Sequence, residues 1–169
     1  GAVTTPYILD GAVTAAKMGT NGTWAPAGTV VQVVSAVNST SQSTTNTSFT
    51  NTSLAASITP KFSNSKILIS CALSGSQSAS NGEGIFTVYR GATDLAYTAG
   101  GGGNGFNLFY SNATFSNPFR IPVIIQYLDS PATVSSTTYT VYFRTNTVGT
   151  VALNQDSSLS VITLQEIAA

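Results

Sequence analysis

The chain has 169 residues, with six basic side chains, six acidic ones and no histidine, so its formal net charge is zero. Charged residues make up 7% of it, against roughly 25% in an ordinary globular domain. Its polarity therefore rests on Ser, Thr, Asn and Gln, and these numbers exclude a basic nucleic-acid surface, a polybasic membrane anchor and a histidine-based catalytic triad.

The N-terminal stretch 1–28 is rich in Ala, Gly and Thr. It reads as an arm ordered by its neighbours, with a short helical turn over residues 10–19 that ends at Gly19. A helix of that length is not stable alone. Tyr7, Ile8, Leu9, Val13, Met18 and Trp24 are the apolar residues it offers for docking. Residues 29–169 form the second unit.

Beyond the arm, helix formers are scarce and short β-rich runs alternate with Gly/Asn/Ser/Pro clusters, which predicts an all-β, antiparallel sandwich. Strands are predicted at Thr29–Val37, Leu54–Thr59, Lys66–Ser74, Gly84–Arg90, Thr93–Thr98, Phe106–Tyr110, Phe119–Leu128, Thr138–Thr145, Thr150–Leu153 and Ser157–Ile167. Residues 35–53 are a Ser/Thr/Asn tract, either a long loop or a polar edge strand. Arg90-Gly91 and Val148-Gly149 suggest tight hairpins. The run Gly100–Gly103, followed by Asn104 and Gly105, is too glycine-rich for a strand interior.

Cys71 is the single cysteine. Alternation puts it on one face with Ile67, Ile69 and Leu73, as a buried structural thiol with no histidine to activate it. One cysteine without histidine does not make a zinc site, and no cofactor is implied. The carboxylates Asp10, Glu83, Asp94, Asp129, Asp156 and Glu166 each lie near a predicted turn or chain end, where an acid usually caps or is solvated. No catalytic pair is expected among them. Tyr97, Phe106, Phe109, Tyr110, Phe115 and Phe119 cluster around the glycine-rich loop, where core packing is the commoner role and surface recognition the rarer one.

Two predicted strands break the half-buried pattern. Ile121, Val123, Ile124, Ile125 and Tyr127 are apolar at both parities, and in Leu159, Val161, Ile162 and Leu164 the apolar parity switches. A strand with two apolar faces must be covered on both sides. Either one outer face packs against sister subunits, or a β-bulge shifts the parity. On the first reading these nine residues form a trimer interface.

Several stretches carry a resemblance: residues 28–34, 54–69 and 88–91, then Leu128-Asp129-Ser130-Pro131-Ala132, Thr138–Arg144 and the closing Ile162-Thr163-Leu164-Gln165-Glu166-Ile167. In this order, over about residues 28–169, the chain resembles the C-terminal β-domains of tailed-phage virion proteins, especially fibres of cyanophages and marine phages. The arm, with Ile8–Met18, is similar to the thin segment such fibres place before the head. The resemblance implies a jelly-roll-like head related to tumour-necrosis-factor-type trimers, homotrimerisation, attachment to other virion proteins through the arm, and a place on the outside of the particle. It carries no catalytic motif, no membrane insertion and no nucleic-acid partner. Host contact, to a surface glycan or protein, is then expected from loops: Gln77, Ser78, Asn81 and Glu83 in one, Gly100, Gly103, Asn104 and Phe106 in the other. A capsid decoration protein and a lectin-like module are the alternatives on the same fold.

Overall fold

Hydrophobic alternation every second residue dictates strands here, and turn residues punctuate them. The computed structural model describes residues 25–98, 105–110, 119–146 and 148–169. Its elements are β1 (Val30–Asn38), β2 (Gln42–Thr44), β3 (Thr50–Ile58), β4 (Lys66–Gln77), β5 (Glu83–Arg90), β6 (Thr93–Asp94), a helical turn α1 (Leu95–Thr98), β7 (Asn107–Tyr110), β8 (Phe119–Asp129), β9 (Thr137–Thr145), β10 (Val151–Leu153) and β11 (Ser160–Ile167).

All pairings are antiparallel. In the first sheet β8, β4, β11 and β1 lie side by side, and the short β10 and β2 extend it beyond the end of β11. The second sheet runs β3, β9, β5, with β6 and β7 sharing the far edge of β5. With the short β2, β6 and β10 set aside, the strands taken in chain order run first, eighth, third, sixth in one sheet and second, seventh, fourth, fifth in the other. That connectivity is a jelly roll, the double Greek key.

The core fills the space between the sheets. β4 contributes Ile67, Ile69, Cys71 and Leu73, all buried, as the alternation predicts. Facing them are Leu54, Ala56 and Ile58 of β3, Phe86 and Val88 of β5, and Tyr139, Val141 and Phe143 of β9. The Phe86 ring lies 6.0 Å from that of Phe143 and 6.1 Å from that of Phe109. Gly84 lies directly beneath Phe109; a Cβ there would sit 2.4 Å from the ring. Burial pushes the Cys71 thiol up to about 12, which removes its thiolate at any ordinary pH.

The structure departs from the predicted elements in three places: Thr93–Thr98, Val148-Gly149 and the start of the last strand. Thr93–Thr98 is not one strand: Asp94 Oδ1 accepts the Ala96 amide at 3.0 Å, and this cap turns the chain into α1 after two paired residues. The polar tract 35–53 holds the end of β1, the edge strand β2 and the start of β3. Arg90-Gly91 does form a tight hairpin, with Gly91 at φ 57° and Arg90 opposite Thr93. Val148-Gly149 instead carries the chain from β9 in one sheet to β10 in the other. The last strand starts at Ser160, because a 3-10 turn at Gln155–Ser157 precedes it. Where the described chain enters, Gly28 N–H donates to Ala168 O at 2.7 Å and Ala168 N–H to Thr29 O at 2.9 Å.

Candidate functional site

The outer face of the first sheet departs most from what a solvated β-surface requires. β8 and β11 keep unbroken register with β4, so no bulge shifts their parity. The two apolar faces read from the sequence are therefore real. Val123 and Ile125 on β8, and Ile162 and Leu164 on β11, point into the sandwich and are fully buried. They cannot touch a partner, and their place in a subunit interface is corrected to the core. Ile121 and Tyr127 share that inward parity and pack against the core at its margins. Of the nine candidates, Ile124, Leu159 and Val161 stand on the outer face. The parity switch in β11 arises because its inward positions include the polar Ser160 and Glu166.

Strand pairing places other residues beside these three. Val37 lies opposite Val161, Val161 opposite Ala72, and Ala72 opposite Ile124. One apolar row thus crosses the sheet from edge to edge, with Val37 64% and Ile124 57% exposed. The next outward row is Ser35, Thr163, Ser70 and Gln126; the one after is Val33, Gln165, Leu68 and Leu128. None of these side chains carries a charge. Above them, Ala72, Ser74, Ile121, Pro122, Ile124 and Leu159 line a shallow groove of about 440 Å³. Arg120 closes its rim, paired with Asp156. Val33, Val37, Leu68, Ala72 and Leu128 were missed in the sequence, although Val33-Val34-Ser35-Ala36-Val37 already shows two apolar parities.

The loop candidates divide. Gln77 is buried and holds its loop together: Nε2 donates to Glu83 O and Val148 O, both at 3.2 Å, and Oε1 accepts the Ser78 and Ala79 amides at 2.8 and 3.3 Å. A residue so engaged is a structural node, which corrects its assignment as a contact residue. Phe106 is half-buried with its ring 5.1 Å from that of Tyr127; it belongs to the core margin. Ser78 and Asn81 are exposed, and Asn81 Oδ1 accepts the Tyr110 hydroxyl at 2.8 Å. Glu83 is half-buried and accepts Asn146 Nδ2 at 2.5 Å. Gly100, Gly103 and Asn104 lie outside the described residues. So do the arm candidates Tyr7, Ile8, Leu9, Val13, Met18 and Trp24, and also Asp10 and Phe115.

Two carboxylates expected to be solvated are buried. Asp129 accepts Arg90 Nη1 on both oxygens, at 2.8 and 2.7 Å, and the Tyr139 hydroxyl at 2.8 Å. Burial and the bond to Asp129 both push the Tyr139 phenol pKa upward. Glu166 Oε1 accepts the Lys61 and Phe62 amides, and Oε2 accepts Gln32 Nε2 at 2.6 Å. Both lie opposite Ile67 on its two sides, one strand apart on either flank, and their oxygens hold the sandwich closed at one end. Among the described residues, no group of three His, Cys, Asp or Glu side chains is placed to hold a metal.

The outer face of the second sheet is different again. Tyr89 of β5 and Tyr142 of β9 project outward, with ring centroids 4.1 Å apart. Phe49 meets Tyr89 edge-on at 6.0 Å, and the Arg144 guanidinium lies 5.1 Å over the Phe49 ring. The aromatics near the glycine-rich loop do not supply this cluster: Phe109 and Phe119 face inward, their rings 6.4 Å apart.

No protein-family model matches the chain, and no curated protein does. Among solved structures, the chain is similar to the crystal structure of the infectious bursal disease virus VP2 subviral particle, with a TM-score of 0.39 and 11% sequence identity. The match covers 82% of this chain and 38% of that one, so the chain spans well under half of that neighbour's length.

Proposed function

We propose that this chain is a non-enzymatic structural protein of a virus particle, a fibre-like jelly-roll head that assembles as a homotrimer through the outer face of its first sheet. One observation carries the reading: aliphatic side chains from β8, β4, β11 and β1 form an edge-to-edge row, with further outward aliphatics at Val33, Leu68 and Leu128, on a face with no charge in its middle. A sheet face left in water takes polar or charged residues at these positions, and contiguous apolar surface marks an interface. The absence of charge removes the repulsion that would keep copies of this face apart. The arm, residues 1–28, attaches the head to other virion proteins. The loops around Ser78, Asn81 and Glu83 face outward, where several weak sites per trimer raise avidity. Attachment to a tail fits the resemblance read from the sequence; attachment to the shell as a decoration protein fits the same face.

Light scattering on the purified 169-residue protein tests the assembly. The expected mass is three times 17.4 kDa, falling to one in Ile124→Lys and Val161→Lys, whose new charges sit in the middle of the row. A monomeric wild-type protein at tens of micromolar concentration (roughly 10-fold above a micromolar dissociation constant) would overturn it. Cryo-microscopy of particles then separates tail from shell.

A further inference from the structure

We propose that the polar row crossing the outer face of the first sheet fixes the register in which copies of this chain pack, with Gln126 and Ser70 hydrogen-bonding to a sister copy. The proposal rests on the assembly proposed above and adds what holds the copies at one height.

Strand pairing builds the row. Ser35 lies opposite Thr163, Thr163 opposite Ser70, and Ser70 opposite Gln126. Directly opposed residues of an antiparallel pair share a face and a height along the strands. The row therefore runs level across β1, β11, β4 and β8. One step toward the groove is the aliphatic row that ends in Val37 and Ile124. One step the other way is the row that ends in Val33 and Leu128, with Gln165 as its one polar member.

Hydrogen bonds divide the four members of the polar row. The Ser35 and Thr163 hydroxyls bond each other at 3.2 Å, and Ser35 Oγ also donates to Ile162 O at 3.3 Å. Neither Ser70 Oγ nor the Gln126 carboxamide makes a hydrogen bond among the described residues. Gln126 is exposed, with Ile124 and Leu128 two residues to either side of it on the same face. In water its amide is satisfied. Beneath a sister copy it is not, and a polar group buried without a partner is costly. A carboxamide brings two donors and an acceptor, and the row carries no charge. It is thus complementary to another copy of itself.

The order of the rows then selects one register. About a three-fold axis running along the strands, each row meets the same row of the next copy. Aliphatic side chains meet aliphatic ones, and Gln126 meets hydroxyls and amides. A slip by one row, in either direction, sets the row of Val37 and Ile124 in one copy against the polar row of the next. The amide and the Ser70 hydroxyl are then buried without partners. A wholly aliphatic face lacks this penalty and packs at several heights. A polar residue buried in an apolar coiled-coil seam fixes register by the same physics, at some cost in affinity.

The test compares three full-length proteins, each carrying a spin label at Ser39→Cys, an exposed position just beyond β1. Cys71 is buried and stays unlabelled. The three are the otherwise wild-type chain, Gln126→Leu and Ser35→Ala; native mass spectrometry gives the stoichiometry and pulsed electron resonance the distance between labels. The wild-type background should be a trimer with one distance. Gln126→Leu should stay associated, dissociating no more readily on dilution, while its distances spread into several. Ser35→Ala removes a hydroxyl already bonded within its own chain and should keep the single distance. One unchanged distance in Gln126→Leu, its dissociation to monomers, or an equal spread in Ser35→Ala would overturn the proposal and leave the assembly standing. A monomeric wild-type background would overturn the assembly itself.

Discussion

Arg90 and Asp129 join the two sheets at one end of the sandwich: a guanidinium from β5 reaches a carboxylate from β8, 2.7 Å away. The aspartate side chain is nearly buried and the arginine about a third exposed. Tyr139 donates to the same carboxylate from the second sheet. Removing the acid strands both donors. Asp129→Ala should therefore destabilise the fold by about 2–4 kcal/mol, the cost of leaving a buried hydroxyl and a partly buried cation without their acceptor. Tyr139→Phe removes one bond and should cost about 1 kcal/mol. Urea midpoints of the two variants give the comparison.

Cys71 links stability to high pH. Its folded-state thiol is held at about 12, against an ordinary value of 9.0. Above 9 the unfolded chain releases this proton and the folded chain does not, so the unfolded state gains. Stability from this group is complete below pH 9 and declines as pH rises toward 12, by on the order of 4 kcal/mol in all. Tyr139, also raised, adds to the decline in the same direction. Cys71→Ala should flatten the part of the curve that begins near pH 9, and the wild-type thiol should resist labelling until the protein unfolds.

Gln77 should behave as a core residue. Gln77→Ala removes four hydrogen bonds, while Ser78 N–H still donates to Thr150 O and the Thr145 hydroxyl still reaches Glu83 O and Val148 O. A loss of about 2–3 kcal/mol is expected, since each of the four lost hydrogen bonds contributes about 0.5–1 kcal/mol. Hydrogen exchange at Ser78 and Ala79 should quicken well beyond the change seen at Val88.

Glu166 fastens the corner before β4 to the last strand. Glu166→Gln keeps the shape but weakens two charge-assisted bonds to the Lys61 and Phe62 amides. About 1–2 kcal/mol should be lost, with faster exchange at those two amides. Unchanged exchange there would show that the corner holds without the charge.

Gly84→Ala tests packing rather than polarity. The added Cβ meets the Phe109 ring, and a loss of about 1–3 kcal/mol follows from overpacking. Near-ultraviolet circular dichroism should report the displaced ring.

The fold class and most strands were legible because alternation and turn residues act over a few neighbours. Burial at a given parity was not. Val123 and Ile125 differ little in chemistry from Ile124, and only pairing with β4 settles which of them faces inward. Gln77 and Glu166 look like ordinary polar residues at strand ends. Their roles come from partners such as Val148 and Lys61, 71 and 105 residues away. The outer aromatic cluster was missed for the same reason: Phe49, Tyr89 and Tyr142 sit in three separate segments, and nothing local marks them as neighbours. Cys71 was read correctly because its face was set by its own strand.

The clasp between Gly28 and Ala168 has a mechanical consequence. It places the entry to β1 and the exit of β11 at the same end as Asp129 and Glu166, while Ser78 and Asn81 crown the other end. A load applied at that crown and resisted through the entry to β1 runs along the strands. The long β1–β11 ladder then shares the tension across many hydrogen bonds at once, in shear. Drawing the two ends of the chain apart would instead open the same ladder one pair at a time. The domain is thus built to be strong to a pull from its far end and weak to a pull between its own termini.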